Sequence, residues 1–157
     1  MSYLVDTNVL LRSIQLASPV HELAVNAVIA LLLRDEDLYI TPQNLIEFWN
    51  VATRPLDKNG LGMTPARADR EVQQLERDLL LAPDVPAIYP AWRRLVVTAA
   101  VSGVQVHDAR LAAVMMAHGI SHILTFNGDD FRRFEYSAGI TVVHPREVTE
   151  DTPVGDG

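Results

Sequence analysis

The sequence predicts an α/β protein: a three-layer α/β/α fold around a central, mostly parallel sheet. Three observations carry this. Short apolar runs of strand length alternate with longer stretches of helical period along the chain. The first run begins almost at residue 1 and hands over directly to a helix, as expected for a central strand. The 157 residues show no internal repeat and no second unit, which suits one domain with one substantial core.

In order, the first strand is Tyr3-Leu4-Val5, stopped at Asp6, and a short helix covers residues 8–14. Ser18-Pro19 starts a second helix, over residues 20–34, because proline fits the first helical turn. Residues 38–40 form a second strand. Thr41 caps the next helix, with Pro42 at its first position, and that helix runs to about Thr53. Residues 58–62 read as a flexible connection. Thr64-Pro65 opens a helix over residues 66–80, whose mixed charges suit a solvated face. Residues 79–82 can make an edge strand. Tyr89-Pro90 opens a helix through Val101, broken by Gly103. A further helix follows Val106 and closes at Gly119. Residues 122–125 are a strand that ends in an acidic turn, where Phe131 is expected to tuck inward. Residues 140–143 are the last strand. The expected domain covers residues 1–147, and residues 148–157 read as an acidic, disordered tail.

Composition narrows the chemistry. Without cysteine there is no disulfide, thiolate zinc site or cysteine nucleophile. Any metal must be held by oxygen or imidazole, which favours magnesium or manganese. A formal charge of −7 argues against a general nucleic-acid coat, but not against an enzyme acting on nucleic acid. No signal-like segment begins the chain, and the longest apolar region, residues 23–33, is too short to span a bilayer. The expectation is a soluble cytoplasmic protein without a membrane partner.

Four acids stand out: Asp6, Glu47, Asp108 and Asp130. Asp6 ends a strand and Asp130 lies in the turn after another. In a parallel sheet such residues share the carboxyl edge, where ligands bind. Glu47 lies inside a strongly apolar helix, and Asp108 heads the stripe of Leu111, Ala112 and Met115. Each has a plainer reading. Asp6 serves as an N-cap, Glu47 shares a solvent stripe with Gln43, Asn50 and Arg54, and Asp108 complements a helix dipole. Brought together, however, four carboxylates repel unless some protonate or a cation intervenes. Magnesium, bound through one or two carboxylates, leaves sites for water and phosphate oxygens. Arg110, Arg132 and Arg133 offer a basic rim for phosphates, or ordinary surface charge.

The segments carrying these acids resemble a known family, in the family's order. They are Val5-Asp6-Thr7-Asn8-Val9-Leu10, Asn44-Leu45-Ile46-Glu47-Phe48, Val106-His107-Asp108-Ala109-Arg110-Leu111, and Leu124-Thr125-Phe126-Asn127-Gly128-Asp129-Asp130-Phe131. Together they resemble the PIN-domain ribonucleases, and more narrowly the VapC-type toxins of bacterial toxin–antitoxin pairs. The resemblance implies a metal-dependent endoribonuclease with Mg2+, or Mn2+, held by Asp6 and Asp108. Glu47 would serve a second metal region or orient the attacking water, and Asp130 would complete the pocket. Thr7, Asn8 and Thr125 would support the carboxylates by hydrogen bonds. It also implies an RNA substrate, a cognate antitoxin protein and a homodimer. One departure is Asn127, where many such sequences carry an acid, so Asp129 or Asp130 must supply that charge. Asp130 is preferred because it directly precedes Phe131. The competing functions are a catalytically silent PIN-fold module that binds RNA or protein, and a phosphohydrolase using Asp6 as nucleophile. The latter commonly needs an acid where this chain has Asn8.

Overall fold

A computed structural model describes residues 1–150 of the chain. Five strands form one sheet in the order β3-β2-β1-β4-β5, and every pairing is parallel. They are β1 (Ser2–Val5), β2 (Asp37–Ile40), β3 (Leu80–Leu81), β4 (His122–Leu124) and β5 (Thr141–Val143). β1 is the middle strand. Parallel neighbours need crossover helices, and those helices cover both faces.

Alternation along the strands sorts the core into two layers. Tyr3, Val5, Leu38, Ile40 and Leu124 face α1 (Thr7–Ile14), α2 (His21–Leu33), α3 (Pro42–Thr53) and α4 (Pro65–Asp78). Leu4 and Ile123 face the other way, onto α5 (Ile88–Thr98), α6 (Val106–His118) and α7 (Phe134–Ala138). Phe48 is sealed into the first layer; Phe131 and Phe134 are sealed into the second. Among the described residues no helix is long and apolar enough to cross a membrane.

Local chemistry explains the boundaries that matter for the site. α1 starts directly after Asp6, which is still extended, with φ −68° and ψ 153°, and whose side chain accepts from the Thr7 N–H. α3 starts with a reciprocal cap: Thr41 Oγ1 accepts from the Asn44 backbone N–H, and Asn44 Oδ1 accepts from that of Thr41. α6 ends at Gly119, whose φ of 66° is the left-handed value glycine adopts without strain.

Several expected boundaries differ. α5 begins at Ile88 and stops at Thr98, short of Val101. Ala100 takes a left-handed φ of 50°, and the Val101 N–H reaches back to the Val96 carbonyl, closing the helix without a glycine. α4 stops at Asp78, because Leu79 turns extended to enter β3. The connection read as flexible, residues 58–62, is laced to the end of α3. The N–H groups of Leu61, Gly62 and Met63 donate to the Val51, Arg54 and Ala52 carbonyls. Gly60 passes so close to Arg54 that a Cβ would lie 1.9 Å from its carbonyl oxygen. The expected boundary at residue 147 falls inside a last helix, α8 (Pro145–Glu150), which buries Val148 and packs on α2. Residues 148–150 therefore belong to the fold, and the remainder of the expected tail lies outside the described residues.

Candidate active site

The carboxyl edge of β1 and β4 carries a hydrogen-bonded polar floor. Asp6 follows β1 directly and is only 7% exposed. Its Oδ1 accepts from the Thr7 backbone N–H at 2.8 Å. Its Oδ2 accepts from the Thr125 hydroxyl at 2.8 Å and from the Asn8 amide at 3.2 Å. Thr125 follows β4, so this contact ties the two strand ends together. Asn8 Oδ1 in turn accepts from the Phe126 N–H, and Thr125 Oγ1 from the Asn127 N–H. Asp6 is thus a helix cap that also lies within reach of Glu47 and Asp130, so the cap does not exclude the other reading of it.

Glu47 is presented by α3 to the same edge. Its Oε2 accepts from the Thr7 hydroxyl at 2.8 Å, and its Oε1 from the Gln43 amide at 2.9 Å. The Glu47 stripe therefore turns its upper end inward rather than to water. Asn44, fully buried, donates to Thr7 Oγ1 at 3.1 Å, which leaves the hydroxyl proton free for Glu47. Gln43 also donates to the His107 carbonyl and accepts from Arg110, so it bridges α3 and α6. Gln43 and Asn44 were not singled out by sequence reasoning. The visible signal was the i, i+4 spacing of Gln43 and Glu47, which puts them side by side on one helix face.

Asp108, in the first turn of α6, and Asp130, in the turn after β4, approach from the other helical layer. Burial pushes the Asp6 carboxyl up to about 6, against the hydrogen bonds from Thr125 and Thr7, and the charges of Glu47 and Asp130 push it further. Asp108 is pushed up to about 7, by burial first and then by Asp130, Asp6 and Glu47. The four acids thus lie within electrostatic reach of one another. Asp129 does not join them. It is almost wholly exposed and pairs with Arg132. Among the described residues no side chain or backbone N–H bonds to the carboxylate of Asp108 or Asp130.

The donor set suits a hard divalent ion: carboxylate oxygens, no sulfur, and mutual repulsion that no cationic side chain among the described residues relieves. Arg110, the arginine beside Asp108, is engaged with Gln43 and Asp84. Among the described residues no group of three or more His, Asp or Glu side chains is placed to hold a metal ion. That is compatible with magnesium, which takes one or two carboxylates and keeps several waters. Of the arginines read as a basic rim, Arg133 is bound to Gln105 and the Ala99 carbonyl.

Known proteins place this geometry. No curated protein matches the chain by sequence. Among solved structures, VapBC-1 from nontypeable Haemophilus influenzae matches with TM-score 0.68 at 13% identity, covering 93% of this chain and 99% of that one. VapBC2 from Rickettsia felis, bound to a DNA fragment from its promoter, matches with TM-score 0.64 at 14% identity, covering 92% and 98%. The Mycobacterium tuberculosis toxin VapC20, which cleaves the sarcin-ricin loop, matches with TM-score 0.62 at 20% identity, covering 88% and 96%. At these identities the likeness establishes the fold. The PIN-domain family model matches residues 3–135, from the first strand through the last of the four acids, and the chain belongs to the PIN-domain family.

Proposed function

We propose that this chain is a metal-dependent endoribonuclease and acts as the toxin of a VapBC-type toxin–antitoxin pair. The observation that carries the reading is the mutual electrostatic crowding of Asp6, Glu47, Asp108 and Asp130, delivered from four separate segments to one sheet edge. Asp6 and Asp108 would hold Mg2+, or Mn2+. A divalent cation bound there supplies Lewis-acid polarisation of the phosphodiester and a more acidic water.

The chain's own residues do the rest. Thr125, Asn8 and the Thr7 N–H aim the Asp6 carboxylate and stop it from turning away. Thr7 and Gln43 hold one oxygen of Glu47 each, so the carboxylate is fixed while both oxygens keep a lone pair. Glu47 is thereby placed to orient a water and accept its proton. Asp130 completes the negative wall opposite. Attack by water in line with the leaving group yields a 5′-phosphate and a 3′-hydroxyl. The aspartate-nucleophile reading fits less well, since such enzymes commonly carry an acid two residues after the nucleophile, where this chain has Asn8.

The test is RNA cleavage with magnesium, with EDTA, and with magnesium restored in excess. Cleavage should vanish with chelation and return with the metal. Cleavage that survives EDTA, or 2′,3′-cyclic phosphate ends, overturns the mechanism. The toxin role predicts growth arrest on expression in a bacterial cytoplasm, relieved by Asp6→Ala. It also predicts co-purification with a co-expressed antitoxin. The homodimer predicts twice the chain mass in light scattering.

A further inference from the structure

We infer that an aromatic recess beside Asp108 receives an unpaired nucleobase of the cleaved strand, next to the scissile phosphate; this rests on the nuclease reading above. The recess has a volume of about 480 Å³ and is walled by Val85, Pro86, Tyr89, Trp92, His107 and Arg110. The Tyr89 and Trp92 rings stack, with centroids 5.9 Å apart and planes 29° apart. The Trp92 indole N–H donates to the Val106 carbonyl at 2.8 Å. That bond ties the indole to the first turn of α6, which carries Asp108.

The recess and the acidic site share a wall. Arg110 donates to Gln43 and to Asp84, which fixes its guanidinium. Gln43 also holds Glu47 and the His107 carbonyl. On the far side, Tyr89, 64% exposed, borders a groove with Arg93 and Arg94. In a chain of formal charge −7, an aromatic recess bordered by Arg93 and Arg94, with Arg110 paired to Asp84, is a local exception. Flat apolar faces for bases, with cations beside them for phosphates, are how proteins take up single strands. An apolar side chain of a protein partner is the competing occupant. Continuity with the carboxylates and the arginine rim favour the nucleic-acid strand.

The test uses the full chain with Trp49→Phe, which leaves Trp92 as the lone indole. The probe is a short single-stranded RNA, with versions carrying one abasic residue at each position in turn. Cleavage is followed in magnesium, and Trp92 fluorescence in calcium. An abasic residue at one position beside the cut should lower kcat/KM about tenfold and abolish quenching. Tyr89→Ala, an exposed change, should cost about the same on intact RNA and remove the abasic penalty. Tyr89→Phe should restore both. A flat abasic scan, or an undiminished penalty in Tyr89→Ala, overturns the recess while leaving the nuclease intact. Quenching that needs the base and Tyr89, without any cleavage, supports the recess and overturns the nuclease reading. Trp92 responding to a co-purified protein but not to RNA overturns the recess. With neither cleavage nor quenching, both fall.

Discussion

The two halves of the acidic site are built differently. Asp6 and Glu47 are held by Thr7, Asn8, Gln43 and Thr125, with Asn44 and Thr41 behind them, each polar group tied to the next. Asp108 and Asp130 face them, with no hydrogen bond to either carboxylate among the described residues. The first half is positioned before anything binds. The second is free to adjust. A hard cation asks for both: a fixed oxygen to define its place, and movable ones to complete its shell.

The largest effect that tests this contrast is removal of either charge proposed to hold the metal. Asp6→Asn and Asp108→Asn should each lower kcat about a thousandfold. Their stabilities should diverge. Asp6→Asn puts an amide where Oδ1 or Oδ2 accepted a hydrogen bond, so it forfeits part of the floor. Asp108→Asn loses no hydrogen bond and removes a repelled charge, so the metal-free protein should melt higher at pH 8. Equal melting temperatures for the two variants would erase the distinction.

Next comes pH. The folded protein keeps protons on Asp6 to about pH 6 and on Asp108 to about pH 7, above an ordinary carboxyl. Between pH 4 and 7 these two groups bind more protons in the folded state than in the unfolded one, which outweighs the opposite contribution of His122, and metal-free stability falls as pH rises. For Asp6 alone the loss is on the order of 3 kcal/mol. Urea midpoints should be higher at pH 5 than at pH 8, magnesium should recover the difference at pH 8, and Asp108→Asn should flatten the slope. A midpoint that rises with pH in the absence of metal would contradict the crowding.

Asn44→Ala probes the anchored half without touching a charge. It removes the α3 cap partner and the donor to Thr7, and should cost about 1–3 kcal/mol in chemical denaturation. Activity should fall through a misplaced Glu47, mainly in kcat. The smallest effect is expected at Asp129. Asp129→Asn breaks only an exposed pair with Arg132 and should change cleavage less than about twofold, whereas Asp130→Asn should lower it about tenfold or more. Equal effects would move the fourth acid to the wrong residue.

Much of the fold was readable along the chain because it depends on near neighbours. Strand-length apolar runs, proline and threonine at helix starts, and Gly119 at a helix end all act over a few residues. What was misread lacked such a marker. Ala100 ends α5 in a conformation its side chain does not favour, and α7 and α8 are too short to show a period.

By itself, the sequence determined that acids stand at strand ends and helix starts on an all-oxygen, sulfur-free donor set. That follows from identity and local spacing. Only the tertiary structure decided that Glu47 and Gln43 turn inward, that Asn44 holds Thr7, and that Asp130 rather than Asp129 faces the others. Those outcomes depend on contacts between residues 37 to 119 positions apart, such as Asn44 with Thr7 and Thr125 with Asp6. Such contacts form when the crossover helices dock on the sheet, and no local periodicity encodes them.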